Sequence, residues 1–223
     1  MKKFFALLLA IIMIVSFCAC GTHEDNVDME ALREAQIGDS VYLGLFEQDN
    51  DEQNGKENIE WIVLDKKYGK KLFLLSKYAL DNQFYNIGLT NNTWESSPLR
   101  DWLNSTFIEN SFSSSEAKLI STVTVSADNH PDLVGNAGVS TQDKVFLLTA
   151  TEAEKYLPTK QDRICEATDY AINKGIFVRN NGVMWWLHGG ITVYCDGKMI
   201  DNNATNAYIG VRPAMWIDLS KIN

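Results

Sequence analysis

The chain is poor in the residues that usually carry chemistry. Its 223 residues include four cysteines, four prolines and three histidines. No Cys-x-x-Cys pair occurs, which excludes thioredoxin-type redox motifs and the common zinc frameworks. No Gly-x-Ser-x-Gly elbow occurs, and so few histidines leave little material for a Ser–His–Asp arrangement. Nothing in the sequence calls for a cofactor. Basic residues are outnumbered, 20 Lys and Arg against 29 Asp and Glu, for a net charge of -9. Residues 1–19 hold two lysines and no acid, so without them the remaining 204 residues carry -11. A body this acidic repels phosphate backbones, which excludes nucleic-acid binding through a basic face. No apolar run reaches the roughly 20 residues that span a bilayer core. What is present is 45% hydrophobic residues and 11% aromatic ones, with six tryptophans and no repeat. That is the composition of a globular protein of one domain, or at most two small ones.

The first residues read as an address. Lys2 and Lys3 precede an apolar run from Phe4 to Phe17, the n-region and h-region of a signal peptide. Phe17-Cys18-Ala19-Cys20-Gly21 follows. A small residue, then Cys, then Gly resembles the lipobox of bacterial lipoproteins. Phe17 stands where that family usually carries Leu, and it makes Cys18 the poorer acceptor. The resemblance implies cleavage before Cys20, a diacylglycerol on its thiol and palmitate incorporation. The protein is then expected outside the cytoplasm, anchored by lipid to the bacterial cell membrane. The competing reading is an ordinary secretory signal with two incidental cysteines. Residues 1–19 are therefore read as signal peptide and 20–36 as an acidic tether with one helical turn near Met29–Ala35. Residues 37–223 are read as a single domain.

Within that domain the pattern is α+β. Val41, Leu43 and Leu45 alternate with Tyr42, Gly44 and Phe46, predicting a strand. Ile59–Asp65 and Leu72–Ser76 flank Lys67-Tyr68-Gly69-Lys70, a hairpin signal. Ser97-Pro98 opens a helix whose Leu99, Trp102, Leu103 and Phe107 share a face. Ser113 and Glu116 form a capping box for a second helix, Thr151 and Glu154 cap a third, and Thr168 begins a fourth that Gly175 ends. Residues 128–141 are rich in Asn, Asp, Gly and Pro and read as a long loop. Near the end, Met184–His188 reads as a strand. Ile191–Ile200 reads as a hairpin about Asp196-Gly197, and Tyr208–Leu219 as a strand broken by Pro213.

Four stretches carry a further resemblance. They are Ile59-Glu60-Trp61-Ile62-Val63-Leu64-Asp65, the run from Trp94 to Asn104, Trp185-Trp186-Leu187, and the run from Gly210 to Leu219. Their order and spacing resemble a bacterial surface-domain family known only as a domain of unknown function, over about residues 37–220. That family is similar to C-type-lectin-like domains related to formylglycine-generating enzymes and phage tropism determinants. The resemblance implies a twisted antiparallel sheet with flanking helices and long loops, and a non-catalytic module that recognises a cell-envelope glycan or a surface protein. One departure stands out. The family usually follows Trp-Trp-Leu with Arg-Ser-Pro-Gly, where this chain has His188-Gly189-Gly190.

Candidate sites are few. Trp185 and Trp186 on one strand must point to opposite sheet faces, so one is expected in the core and the other under loops or against a ligand. With His188, Asn206 and Arg212 they form the candidate ligand-binding set. For each of them a structural role competes with the functional one. Asp49, Asp51, Glu57 and Glu60 fall at positions 1, 3, 9 and 12 of an EF-hand-like count, but Asn54 replaces its turn glycine. A solvated acidic loop explains them equally. The sugar-coordinating triplets Glu-Pro-Asn and Gln-Pro-Asp are missing, and with them calcium-dependent sugar binding of the lectin kind. Cys165 and Cys195 are a candidate disulfide in an oxidising compartment, or two buried thiols. The alternative function, a surface hydrolase or modifying enzyme, requires His130 or His188 to meet a Ser, Cys or carboxylate in one pocket.

Overall fold

The computed structural model describes residues 28–87, 93–128, 130–201 and 207–221. Strands β1 (Ser40–Phe46), β2 (Glu57–Lys67), β3 (Lys71–Ser76) and β4 (Asp81–Asn82) come first. β5 (Val123–Val125), β6 (Thr141–Asp143) and β7 (Val145–Phe146) follow a helical segment. β8 (Val178–Arg179), β9 (Gly182–Val183), β10 (Trp185–Trp186), β11 (Ile191–Val193), β12 (Met199–Asp201), β13 (Gly210–Val211) and β14 (Ala214–Asp218) complete the set. One five-stranded sheet has the order β1-β2-β3-β14-β7 and a second β12-β11-β10-β13-β4. All pairings in them are antiparallel except β10 with β13. The observed class is α+β with antiparallel sheets. Among the described residues no helix is long and apolar enough to cross a membrane.

The chain passes between the sheets at two adjacent points. Pro213 has no N–H to donate to a ladder. There the last run leaves β13 in one sheet and enters β14 in the other. The Pro213 carbonyl accepts from Ser76 N at 2.9 Å, where β3 ends, and Leu80 N donates to Val211 O at 2.9 Å. Arg212 lies buried between these crossings, and its Nε donates to Ser76 O at 2.9 Å.

Local signals place most helices. Helix α1 (Met29–Glu34) is capped by Asp28, whose side chain accepts from Ala31 N. Its Leu32 is fully buried. The folded body therefore takes in this turn, ahead of residue 37 where the sequence reading begins the domain. Helix α2 (Pro98–Trp102) has Ser97 as cap and Pro98 at its first position. It continues through a π-helical stretch, Leu103–Phe107, into α3 (Ile108–Ser111). Asn104 fastens this segment to β7, donating from Nδ2 to Val145 O at 2.8 Å and accepting Lys144 N at 2.8 Å. Helix α4 (Ser114–Leu119) carries the expected capping box of Ser113 and Glu116.

Three expectations shift in register. In β1 a bulge falls between Tyr42 and Leu45. Gly44 takes φ +75 there, its N–H donates to Glu116 Oε1 at 2.8 Å, and a Cβ would lie 2.6 Å from the Phe112 ring. The bulge moves inward-facing positions by one residue, so Phe46 is buried and Leu45 only half-buried. Helix α5 (Ala150–Tyr156) is capped by Thr149 and Glu152, two residues before the Thr151 and Glu154 of the sequence reading, because β7 already ends at Phe146. The strand expected over Met184–His188 is only Trp185–Trp186. His188–Gly190 turns away, with Gly189 and Gly190 at φ 78 and 76. Helices α6 (Lys160–Arg163) and α7 (Asp169–Asn173) precede the second sheet, and Thr168 caps α7 as expected.

Candidate functional site

The tryptophan-bearing end is a scaffold. Both Trp185 and Trp186 are 0% exposed, although they point to opposite faces. β10 lies between β11 and β13, and separate parts of the chain cover its two faces. The Trp185 indole donates to Arg163 O at 3.0 Å, and the Arg212 guanidinium lies 5.0 Å from its ring centroid. The Trp186 indole donates to Gln83 O at 3.1 Å and packs against Tyr85. His188 is 1% exposed and lies against Trp94, with ring centroids 5.2 Å apart. Neither of its ring nitrogens has a hydrogen-bond partner among the described residues. Burial pushes its pKa down to about 4, so at neutral pH it is an uncharged ring in the core. Burial also lowers the pKa of Arg212, which faces no carboxylate in the described structure. As ligand contacts these four residues are corrected: covered on every side, they offer no face to solvent. Asn206 and Cys20 lie outside the described residues.

Motif residues from the middle of the chain also build core. The Trp94 indole donates to Asp143 Oδ2 at 2.9 Å, and Arg100 Nε reaches Asp143 Oδ1 at 2.7 Å. The Thr141 hydroxyl also donates to Oδ2, so Asp143, 1% exposed, is a buried carboxylate compensated by three donors. Cys165 and Cys195 are both free and buried, so the candidate disulfide is corrected to two separate thiols. Burial raises both their pKa values. His130 meets a carboxylate, Glu154, at 3.2 Å, and its Nδ1 accepts from Asp132 N. Neither His130 nor His188 hydrogen-bonds a Ser or Cys side chain among the described residues.

A concave surface lies elsewhere, on the outer face of the first sheet. Cross-strand register builds it. Asp65, Phe73 and Trp216 stand in one row across β2, β3 and β14, and Lys67, Lys71 and Asp218 in the next. Alternation along β14 turns Met215 and Ile217 into the core and leaves Trp216 half-exposed outside. Phe73 stacks on Trp216 at 4.9 Å and 8°, and Tyr156 of α5 meets the Phe73 edge at 5.3 Å. Two adjoining hollows of about 560 and 300 Å³ open here, sharing Val123, Thr124, Glu152 and Trp216. Lys67, Tyr68, Lys71, Lys155 and Tyr156 complete the larger one. Tyr68, at the tip of the β2–β3 turn, is 91% exposed.

Polar groups in this groove are held in place. Tyr156 donates its hydroxyl to Asp65 at 3.0 Å and accepts from Lys155 Nζ at 2.9 Å. That hydrogen bond raises the Lys155 pKa, and burial raises that of Glu152. Lys67 Nζ lies 4.4 Å from the Trp216 ring centroid. Three lysines and one glutamate line the larger hollow of a protein with net charge -9. Sequence reasoning includes Trp216 only within the Gly210–Leu219 run and misses its neighbours. Their only signal is register: Lys67 and Trp216 are 149 positions apart and meet only once β2, β3 and β14 pair.

The acidic candidates divide. Asp51 is spent in the turn, its Oδ1 accepting Gln53 N, and Glu60 pairs with Lys77 at 3.0 Å. Asp49 and Glu57 instead gather with Glu47, which the EF-hand-like count leaves out.

Fold and site together define a mixed α+β domain whose Trp94 and Trp185-Trp186 motifs face inward and whose open groove lies on one sheet face beside Trp216. The chain belongs to the family described as a domain of unknown function (DUF6273), whose model matches residues 69–219, more than half of its length. No curated protein and no solved structure matches it.

Proposed function

We propose that this protein is an extracytoplasmic lipoprotein, anchored to the bacterial cell membrane through Cys20. Its domain is read as a divergent C-type-lectin-like module that recognises a cell-envelope glycan without catalysis. The fold assignment is supported by the pairing of the N-terminal hairpin with the last strand, together with the long segment between β5 and β6. The anchor is supported by the Lys2-Lys3, apolar-run and Cys20-Gly21 pattern.

One observation carries the recognition reading: the groove beside Trp216. Sugar rings pack their C–H faces on aromatic side chains, and hydroxyls or acidic substituents find donors in lysine ammonium groups and tyrosine hydroxyls. Trp216, Tyr68, Lys67, Lys71 and Lys155 supply both kinds of contact around one concavity.

The test is a glycan array probed with the purified protein, followed by titration of the strongest binder. Tyr68→Ala leaves the core untouched and is expected to weaken binding severalfold. Trp216→Ala, checked for folding by its thermal melt, is expected to weaken it more than tenfold. Binding that survives both substitutions unchanged refutes the groove as the site. A protein partner captured with no glycan bound refutes the ligand class.

A further inference from the structure

We propose that the loop joining β1 to β2 holds a hard divalent cation, calcium, between the carboxylates of Glu47, Asp49 and Glu57. One oxygen from each lies within 4.8 Å of the others. Residues 47–57 contain five acids and one lysine, and that lysine is turned away, Lys56 Nζ donating to Asn110 O at 2.6 Å. No ion pair among the described residues involves the three carboxylates. Three like charges this close repel one another unless a cation sits among them.

Acidic loops are common, and what distinguishes this one is Glu47. It is 9% exposed, and while the Asn50 and Asp51 backbone N–H groups point at its carboxylate, its Oε1 is buried with no hydrogen-bond partner among the described residues. A buried carboxylate oxygen without a donor is costly, and a cation placed among the three carboxylates removes that cost. The other two ligands are oriented. Glu57 Oε2 accepts from Gln48 N at 2.6 Å, and Asp49 Oδ2 accepts from Asn54 Nδ2 at 2.7 Å. The loop is also fixed to the body, with Tyr170 N donating to Gln48 O at 3.0 Å and Asn173 Nδ2 to Asn50 Oδ1 at 3.1 Å.

The donor set selects the ion. It is oxygen only, with no His or Cys, which favours a hard cation over zinc or copper. Calcium accepts irregular geometry and completes its shell of about 6–8 oxygens with water, whereas magnesium demands near-octahedral order. The site shares no residue with the Trp216 groove, so it stands or falls independently of glycan recognition.

Isothermal titration of calcium chloride into the full chain, stripped of metal by chelator and held in detergent micelles, tests the assignment. Saturable binding at one site is expected, with Kd about 10⁻³ M or tighter. Glu47→Gln and Asp49→Asn are each expected to weaken it at least tenfold. Glu60→Gln, whose parent residue is paired with Lys77, should leave it unchanged. Asp49 is exposed, so Asp49→Asn decides the matter even where the buried Glu47 substitution fails to fold. No saturable heat up to about 10 mM calcium, unaltered binding by Asp49→Asn, or tighter binding of magnesium than of calcium would each overturn the proposal.

Discussion

His188 makes a quantitative forecast about acid stability. It sits in the core against Trp94 with both ring nitrogens unpartnered among the described residues, and burial holds its pKa near 4. In the unfolded chain the same imidazole titrates at its ordinary 6.5. Between those two values the unfolded state binds the proton and the folded state does not, so stability rises with pH across this window and is lost as pH falls. The full span corresponds to about 3 kcal/mol at 1.36 kcal/mol per pH unit. At pH 4.5 the penalty has reached about 2.5 kcal/mol, while at pH 7.5 it is close to zero. His188→Phe keeps an aromatic ring against Trp94 and removes the titration. Urea unfolding of both proteins at the two pH values isolates the effect, because every other titrating group is common to both. The stability difference between parent and variant should move by about 2.5 kcal/mol in favour of the variant on going from pH 7.5 to 4.5. Parallel pH profiles would show that the imidazole is not buried uncharged, and the reasoning would fail.

Three further outcomes are expected. Labelled palmitate should enter the parent protein and not Cys20→Ala, and equal labelling of the two would remove the anchor. Cys165 and Cys195 are buried thiols with raised pKa values, so iodoacetamide at pH 8 should modify them slowly until urea is added; a peptide joining the two by a disulfide would contradict this. Gly197 in the terminal hairpin has φ +78, and a Cβ there would lie 1.8 Å from Lys160 O. Gly197→Ala should therefore cost more than about 2 kcal/mol in a denaturant melt, and a melt like the parent's would refute the close approach of that turn to α6.

Elements with a local chemical signature were readable in the sequence, and those set by phase were not. Ser97 before Pro98, and Ser113 with Glu116, announce helix starts because a hydroxyl three residues or fewer from a free N–H satisfies it whatever surrounds it. Thr149 with Glu152 obeys the same rule, but Thr151 with Glu154 fits the pattern as well. Only the end of β7 at Phe146 separates them. In β1 the alternation is plain, yet the Gly44 bulge reverses it midway, and that bulge is tied to Glu116 from a helix 72 positions away.

The candidate site was legible only in fragments, for the same reason. The acidic loop is visible as a cluster, but counting by motif selects Asp51 and Glu60 and misses Glu47, because the count assumes an EF-hand turn and the loop follows β-hairpin geometry. The Trp216 groove needs the pairing of three strands and the placement of α5 before its lysines and aromatics become neighbours.

The sequence by itself determined the acidic charge, the apolar run Phe4–Phe17 ahead of Cys20, the helix caps and the rough course of the strands, since each depends on residues within a few positions of one another. Tertiary structure alone decided which aromatics are surface. Trp185 and Trp186 are covered by Arg163, Arg212, Gln83 and Tyr85, brought from 22 to 103 positions away. Trp216 keeps an open side because the chain leaves the outer face of its sheet only partly covered. Exposure is a property of what packs against a residue, and local sequence does not record it.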